Sequence, residues 1–454
     1  MHRLIEDYVR GLDLDAYVVG GPVRDELLGL EPAEADFLVP NVGHAELRAA
    51  LEPHGKVEDL VVAGQRVGLR LFPRDRDVRA LVPAGIELAP PRAERSTGPG
   101  RHDFEIVAGP EISVEEDMAR RDFTVNAIAR RLEDGSIVDP FDGRGDLQRR
   151  RLRTVSERSF AEDPLRLVRA LRFVSQLDFE PDAPMLAQMR DEAPSIRLVS
   201  AERIGGGLHA DGLGELSKLL LGRNPGKALR LARDTGVLVE LLPPYRDAIG
   251  YALDSPRQPE PLDEHLFAVV QAAADARSPL PVRLAALLHD LGKPFAPVAE
   301  HAARGAEIAA AELRRLRYPS RLQAYVARLV REHAFFLEDF PGDVGARRFL
   351  RRHGDELAFD LVRHRRADLA AKSVATAEAA DLDAFEQRLE VQRSSPHRLA
   401  ELAVDGGDLI GIGFREGPEV GQVLERLLDD VVEEPALNER ETLLRRAAAL
   451  QVAP

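Results

Sequence analysis

The spacing of apolar residues changes character near residue 150, and that change limits the folds open to this chain. Before it, short apolar runs (Ala16 to Val19, Ala35 to Val39, Leu60 to Val62, Val67 to Phe72 and Ile86 to Ala89) lie between helical stretches and Gly/Pro turns. Runs of that length and make-up predict strands. After it, apolar residues recur every three or four positions, as in Pro164 to Leu177 and Ala228 to Leu242, the pattern of helices with one buried face. An α/β unit over 1–148 followed by helical units is therefore expected. The polar, Pro-rich stretch Asp254 to Pro261 and the break at Ser394-Ser395-Pro396 divide the helical part into 149–253, 254–394 and 395–454. No repeat with a period of roughly 20–50 residues is present, which argues against solenoids and propellers.

Composition removes several function classes. Hydrophobic residues at 44% and charged residues at 31% are ordinary globular values, unlike collagenous, disordered or membrane-embedded chains. The first ten residues, MHRLIEDYVR, are charged and amphipathic and do not resemble an export or anchoring signal. A net charge of −15 speaks against coating nucleic acid through a global positive potential. Of the 62 basic residues only five are Lys, at 56, 218, 227, 293 and 372. With no Cys, any metal must be held by carboxylates and imidazoles, and a reducing cytoplasm is the expected setting.

The sharpest local feature is AYVV-GG-PVRDELLG, residues 16–29. A strand entering Gly20-Gly21 and then a helix opened by Pro22 gathers free backbone N–H groups, which favour phosphate oxygens, and Arg24 can add a bidentate donor. Glu34 and Asp36 follow two apart in an extended segment, so both carboxylates face one side. Two neighbouring anions near a phosphate site point to a divalent cation, with hard oxygen ligands favouring Mg²⁺. Glu87, between Ile86 and Leu88, is a candidate third carboxylate from an adjacent strand.

These residues resemble the class II tRNA nucleotidyltransferases, the CCA-adding enzymes, and the related bacterial poly(A) polymerases. The head pattern is GGPVRDELLG with Glu34-Ala35-Asp36. Glu87 with Arg92, ERSTGPGRHDFE (94–105), EEDMARRDFTVNAIA (115–129), DPFDGRGDL (139–147), EDPLRLVRALRF (162–173) and SAERI (200–204) follow in the family's order. ELAVDGGDLIGIGFREGPEVGQVLERLL (401–428) resembles the family's C-terminal region. Glu34 stands where the family usually has Asp. The resemblance implies an α+β chain: a polymerase-beta-like nucleotidyltransferase head, then all-α neck, HD and tail domains, the neck and tail contacting RNA. It further implies two-metal attack of a tRNA 3′-hydroxyl on the α-phosphate of CTP or ATP, releasing pyrophosphate, with Glu34, Asp36 and Glu87 as catalytic Mg²⁺ ligands: Glu34 and Asp36 bridge the two ions and Glu87 completes the first-ion site. Gly20, Gly21, Arg24, Arg121, Asp122 and Asn126 fall in its nucleotide-binding motifs, as do Asp163, Arg166, Arg169 and Arg172. In the family, the residues matched here by Asp163 and Arg166 template the base. An ionised Asp accepts and an Arg donates, which suits the edges of cytosine and adenine and leaves uracil and guanine mismatched.

Residues 260–370 hold His265, His289-Asp290, His301, His333 and Asp368. Adjacent His-Asp inside an apolar helix is costly to bury unless it binds metal or is fully hydrogen-bonded. The order resembles the HD metal-dependent phosphohydrolases, with His265, His289, Asp290 and Asp368 in ligand positions and His301 and His333 as candidates for a second ion or phosphate. Mn²⁺, Ni²⁺, Fe²⁺ and Mg²⁺ all suit such ligands. Basic runs at Arg149 to Arg153, Arg314 to Arg331, Arg347 to Arg352 and Arg363 to Arg366 are candidate contacts to the RNA backbone. Four functions are in play: CCA addition to tRNA; poly(A), CC-only or A-only addition; an HD phosphohydrolase with a degenerate head; and an RNA-binding module without chemistry.

Overall fold

The computed structural model describes residues 3–31, 36–62, 65–96, 104–206, 213–252, 259–297, 299–372 and 376–451. Glu34, and most of the 94–105 segment, lie outside these. Contacts group the chain into two units, residues 1–200 with 231–241, and residues 201–230 with 242–454. No helix among the described residues is long and apolar enough to cross a membrane.

The first unit is built on a mixed sheet. In chain order its strands are β1 (Tyr17–Val19), β2 (Asp36–Leu38), β3 (Gly55–Val62), β4 (Gln65–Pro73) and β5 (Ile86–Ala89). A separate hairpin, β6 (Arg92–Ser96) and β7 (Phe104–Ala108), precedes β8 (Ala129–Arg131) and β9 (Ile137–Val138). The spatial order is β3-β4-β5-β2-β1-β8-β9, antiparallel except for β2 beside β5. Alternation decides what each strand buries. Ile86 and Leu88 are inaccessible to solvent, as are Leu69 and Leu71 on β4, while Glu87 and Arg70 between them turn to the other face.

The helical part starts where the apolar spacing changes. Pro164 to Leu177 forms the helix Leu165–Leu177, which buries Leu167, Val168, Leu171 and Val174 and stops at Asp178, whose φ is +57°. The expected continuous run Ala228 to Leu242 is instead two helices, Pro225–Asp234 and Val237–Leu241. Gly236 between them has φ +75°, a left-handed conformation that ends a helix and that glycine adopts at little cost. In the second unit the helix Leu280–Leu288 is apolar almost all round and largely buried, as a central helix should be. The C-terminal helices close a smaller core around Leu409, Leu427, Val431, Leu443 and Ala447.

Candidate functional site

On the polar face of the sheet, Asp36 and Glu87 sit directly opposite one another in the parallel β2–β5 pair. In-register neighbours on adjacent strands share a face and lie close enough for both carboxylates to reach one cation. Arg70, opposite Glu87 across the antiparallel β4–β5 pair, forms an ion pair with it. Sequence reasoning missed Arg70; its only signal was its place between two buried leucines.

The glycine turn lies beside a wall of arginines. Gly20 has φ +72°, so its backbone conformation favours glycine, and a Cβ there would stand 2.4 Å from Arg121 Nη1, whose tip would have to move aside. Arg121 donates to Asp117 Oδ2 at 3.2 Å. Arg24 donates to Asn126 Oδ1 at 2.8 Å, Asn126 Nδ2 donates to Asp122 Oδ1 at 2.9 Å, and Asp122 Oδ2 accepts from Arg169 Nε and Nη2 at 2.8 and 2.6 Å. Asp122 thus holds Arg169 directly and Arg24 only through Asn126; Arg24 is also fixed by Asp25, whose Oδ1 accepts from its Nε and Nη2 at 2.8 and 2.6 Å. Burial alone would raise the Asp122 pKa, but the Arg169 charge and the hydrogen bonds from Asn126, Arg169 and the Phe123 N–H bring it down to about 2.

Arg24, Arg169 and Arg172 also surround the buried Phe173 ring, their guanidinium carbons 5.1, 5.8 and 4.6 Å from its centroid. Cation–π contact partly offsets the repulsion of three like charges. Arg166 faces inward, donating to Ser159 Oγ at 3.0 Å and to the Arg120 carbonyl at 2.8 Å. Asp163 Oδ1 accepts from the Leu165 N–H at 3.1 Å, at the start of the Leu165–Leu177 helix. Asp117 and Phe173 went unrecognised in the sequence, although Asp117 precedes Arg120 and Arg121 by three and four residues, the spacing of helical ion pairs.

In the second unit seven imidazoles and carboxylates meet. His265 comes from the helix Leu262–Asp275, His289 and Asp290 from the end of Leu280–Leu288, and His301 from the start of His301–Arg315. His333 follows Ser320–Glu332, and His364 and Asp368 share Asp355–Ala370. All seven are buried. A Cβ on Gly305 would meet the His289 carbonyl at 2.5 Å, so that glycine lets the His-Asp segment approach its neighbouring helix closely.

His289 Nδ1 lies 3.0 Å from the Ala286 carbonyl and His333 Nδ1 2.6 Å from that of Val330. An Nδ1–H donated there leaves each Nε2 with its lone pair toward the cluster. Burial lowers the pKa of His289 and of His364, favouring neutral rings. Ligand atoms from His265, His289 and Asp368, and from His289, Asp290 and His333, lie within 4.8 Å of one another. Yet both nitrogens of His265 and His364, His289 Nε2 and Asp290 Oδ1 lack a well-aligned hydrogen bond. Carboxylate oxygens stand 3.2–3.7 Å from the His265 and His289 Nε2 atoms without that alignment. Polar atoms that crowd together without bonding one another are aimed at a shared point, as metal ligands are. His301 Nε2 and His333 Nε2 are 3.3 and 3.6 Å from Asp290 Oδ1. The sequence reading omitted His364, whose ring centroid is 4.8 Å from that of His289; its signal was the four-residue spacing to Asp368.

Three of the four basic runs are less free as charge than their sequence suggests; in the fourth, Arg314 to Arg331, the ion pairs among the described residues are Arg315 with Glu312 and Arg317 with Glu202. Arg149, Arg151 and Arg153 all pair with the buried Asp146. Arg347 donates to the carbonyls of Val432 and Glu433, and Arg348, Arg351, Arg352, Arg363 and Arg366 pair with carboxylates.

Three family models match the chain: the poly A polymerase head domain over residues 16–153, a probable RNA- and SrmB-binding site of polymerase A over 178–249, and a putative tRNA nucleotidyltransferase domain 2 over 302–447. The multifunctional CCA protein of Azoarcus sp. strain BH72 is 37% identical over 334 residues, 71% of this chain and 74% of that one. That of Pseudomonas aeruginosa strain PAO1 is 36% identical over 333 residues, 70% and 74% of the two chains. Among solved structures, the Bacillus stearothermophilus CCA-adding enzyme in complex with CTP matches with a TM-score of 0.70 at 25% identity, covering 98% of this chain and 97% of that one. The Thermotoga maritima CCA-adding enzyme complexed with tRNA shares the fold, with a TM-score of 0.60 at 20% identity over 99% and 94%.

Proposed function

The chain belongs to the CCA-adding nucleotidyltransferase family, and on that premise we propose that it completes the 3′ end of tRNA lacking CCA, taking CTP and ATP as substrates in the cytoplasm. The carrying observation is the in-register pair Asp36 and Glu87 beside the glycine turn and its arginines. The tRNA 3′-oxygen bonds to the α-phosphorus as the bond to the β-phosphate oxygen breaks, and pyrophosphate leaves. Asp36 and Glu87, with Glu34, are the residues proposed to hold the divalent cation, Mg²⁺ by its preference for oxygen ligands. That ion supplies positive charge for the entering and departing oxygens. Gly20 and Gly21 admit the triphosphate closely, while Arg24, Arg121, Arg169 and Arg172 balance its charge. Asp122 and Asn126 keep Arg24 and Arg169 in place, and Asp163 with Arg166 selects the base. Residues 1–148 act as the transferase head, 149–253 as the neck, 254–394 as the HD domain and 395–454 as an RNA-binding tail.

The test is incubation with tRNA trimmed of its 3′ end, with CTP and ATP singly and together. CTP alone should extend the tRNA by two residues and both nucleotides by three. No extension overturns the reading, and long adenosine tails turn it into poly(A) synthesis.

A second reading rests on the buried imidazoles and carboxylates of the second unit, which fit a divalent-metal phosphohydrolase centre with His265, His289, Asp290 and Asp368 as ligands and His301, His333 and His364 beside them. Nitrogen donors favour Mn²⁺, Fe²⁺ or Ni²⁺ over Mg²⁺. A bound ion would supply Lewis-acid charge for phosphoester hydrolysis. Metal analysis of the purified protein should find such an ion, and His289→Ala should weaken its binding at least tenfold. Equal metal content in the two proteins rejects the centre.

A further inference from the structure

The polar face of the head sheet carries a row of charged residues in register across four strands. Asp36 on β2 stands opposite Glu87 on β5, Glu87 opposite Arg70 on β4, and Arg70 opposite Glu58 on β3. Partners in register share a face, and each step along the row is about 4.8 Å. Glu58 is engaged by Lys56, whose Nζ lies 2.6 Å from it. Arg70 instead pairs through Nη2 with Glu87, the one group among the described residues to which it donates. Its side chain is 36% accessible. A guanidinium has five N–H donors in a planar fork, so Arg70 can keep Glu87 and still offer Nη1 to an anion from solvent.

The row has a direction. On the side of β2 away from β5 lies β1, whose Val18 stands opposite Phe37, so that the Gly20-Gly21 turn follows at the Asp36 end. The triphosphate proposed to lie at that turn therefore occupies the Asp36 side of the carboxylates. In-line phosphoryl transfer places the entering and departing oxygens on opposite sides of the reacting phosphorus. With pyrophosphate leaving toward the glycine turn, the RNA 3′-oxygen arrives from the Glu87 side. Arg70 is the next residue along that path, and it is a cation. The terminal nucleotide of the RNA brings one anion there, the phosphodiester on its 5′ side. We propose that Arg70 is a binding residue for the tRNA 3′ end: it grips the last phosphodiester while holding Glu87, and so sets the attacking hydroxyl beside the carboxylates. This proposal rests on the transferase reading above and adds to it a subsite for the RNA end.

The test compares trimmed tRNA with the same RNA carrying a neutral methylphosphonate at its last phosphodiester, in the full chain as wild type, Arg70→Gln and Arg70→Lys. The first readout is kcat/KM for the RNA at saturating CTP, and the second is equilibrium binding of the RNA without CTP. Arg70→Gln should lower kcat/KM for the unmodified RNA at least tenfold and leave KM for CTP within about threefold. Its slope of log Kd against log salt should fall by roughly 0.7, the share of one phosphate on a single strand. The methylphosphonate should cost wild type at least fivefold in both readouts and Arg70→Gln less than twofold, because the group that meets the charge is already gone. Arg70→Lys, a point charge without the fork, should recover most of the RNA affinity. A residue that acted only by steadying Glu87 would lower kcat/KM and leave the methylphosphonate penalty in full. That result, or a wild type indifferent to the methylphosphonate, overturns the assignment of Arg70. A wild type that shows the penalty in binding yet extends neither RNA overturns the transferase reading and leaves the contact standing.

Discussion

Replacing Asp36 with Ala should lower nucleotide incorporation at least a thousandfold while leaving nucleotide binding measurable and the melting temperature unchanged. Asp36 opens β2 on the polar face of the sheet, and the next residues, Phe37 and Leu38, carry the strand's burial. Its loss therefore removes a charge without opening a core cavity. A thousandfold corresponds to about 4 kcal/mol at roughly 1.4 kcal/mol per decade, within the several kcal/mol that a metal ion contributes to charge stabilisation in phosphoryl transfer. The arginines proposed to meet the triphosphate have anchors in Asn126 for Arg24, Asp117 for Arg121 and Asp122 for Arg169, so binding should survive. Single-turnover incorporation of CTP into trimmed tRNA, set beside nucleotide titration of the same preparation, separates the two effects. Incorporation near the wild-type rate would remove Asp36 from the metal site and with it the proposed chemistry of the head.

What could be read from the residues was whatever lies within one element. Alternation in Ile86-Glu87-Leu88 was visible, and the strand forms there with Glu87 turned away from the core. That β2 and β5 run parallel with Asp36 opposite Glu87 was not visible, because pairing between strands some 50 residues apart depends on the whole sheet. Arg70 was hidden for the same reason: it is an ordinary polar residue until β4 is known to lie beside β5. In the second unit the His-Asp dipeptide announced itself, since such a pair beside an apolar run demands a partner, although it lies just past the helix Leu280–Leu288 and not inside it as expected. His364 sits among Arg363, Arg365 and Arg366, which drew attention to charge and away from the helix face it shares with Asp368. The basic runs were legible as charge but not as free charge. Arg347 meets Val432 and Glu433, and Arg348 meets Glu433, about 85 residues away. Only the packed fold says which guanidiniums are already engaged.

Asp122 carries a large expected stability effect in the head. Asp122→Ala should cost about 3–5 kcal/mol, the usual range for removing one partner of a buried ion pair, because Arg169 and Asn126 lose the acceptor they share. Asp122→Asn keeps the shape and removes the charge, so its penalty should follow pH. The folded pKa of about 2 lies below the ordinary 3.8, so the wild-type carboxylate adds stability above its unfolded pKa and loses that contribution as pH falls through the folded value. The shift is equivalent to about 2 kcal/mol at roughly 1.4 kcal/mol per unit. Urea unfolding of wild type and Asp122→Asn should give a constant gap from pH 8 to about 5 and a gap that narrows between pH 4 and 2. The same variant should raise KM for CTP and ATP, since Arg169 loses the charge that holds it, and it should leave metal uptake by the second unit unchanged. A gap that persists undiminished to pH 2, or an unaltered KM, would mean that Arg169 is held by contacts other than Asp122.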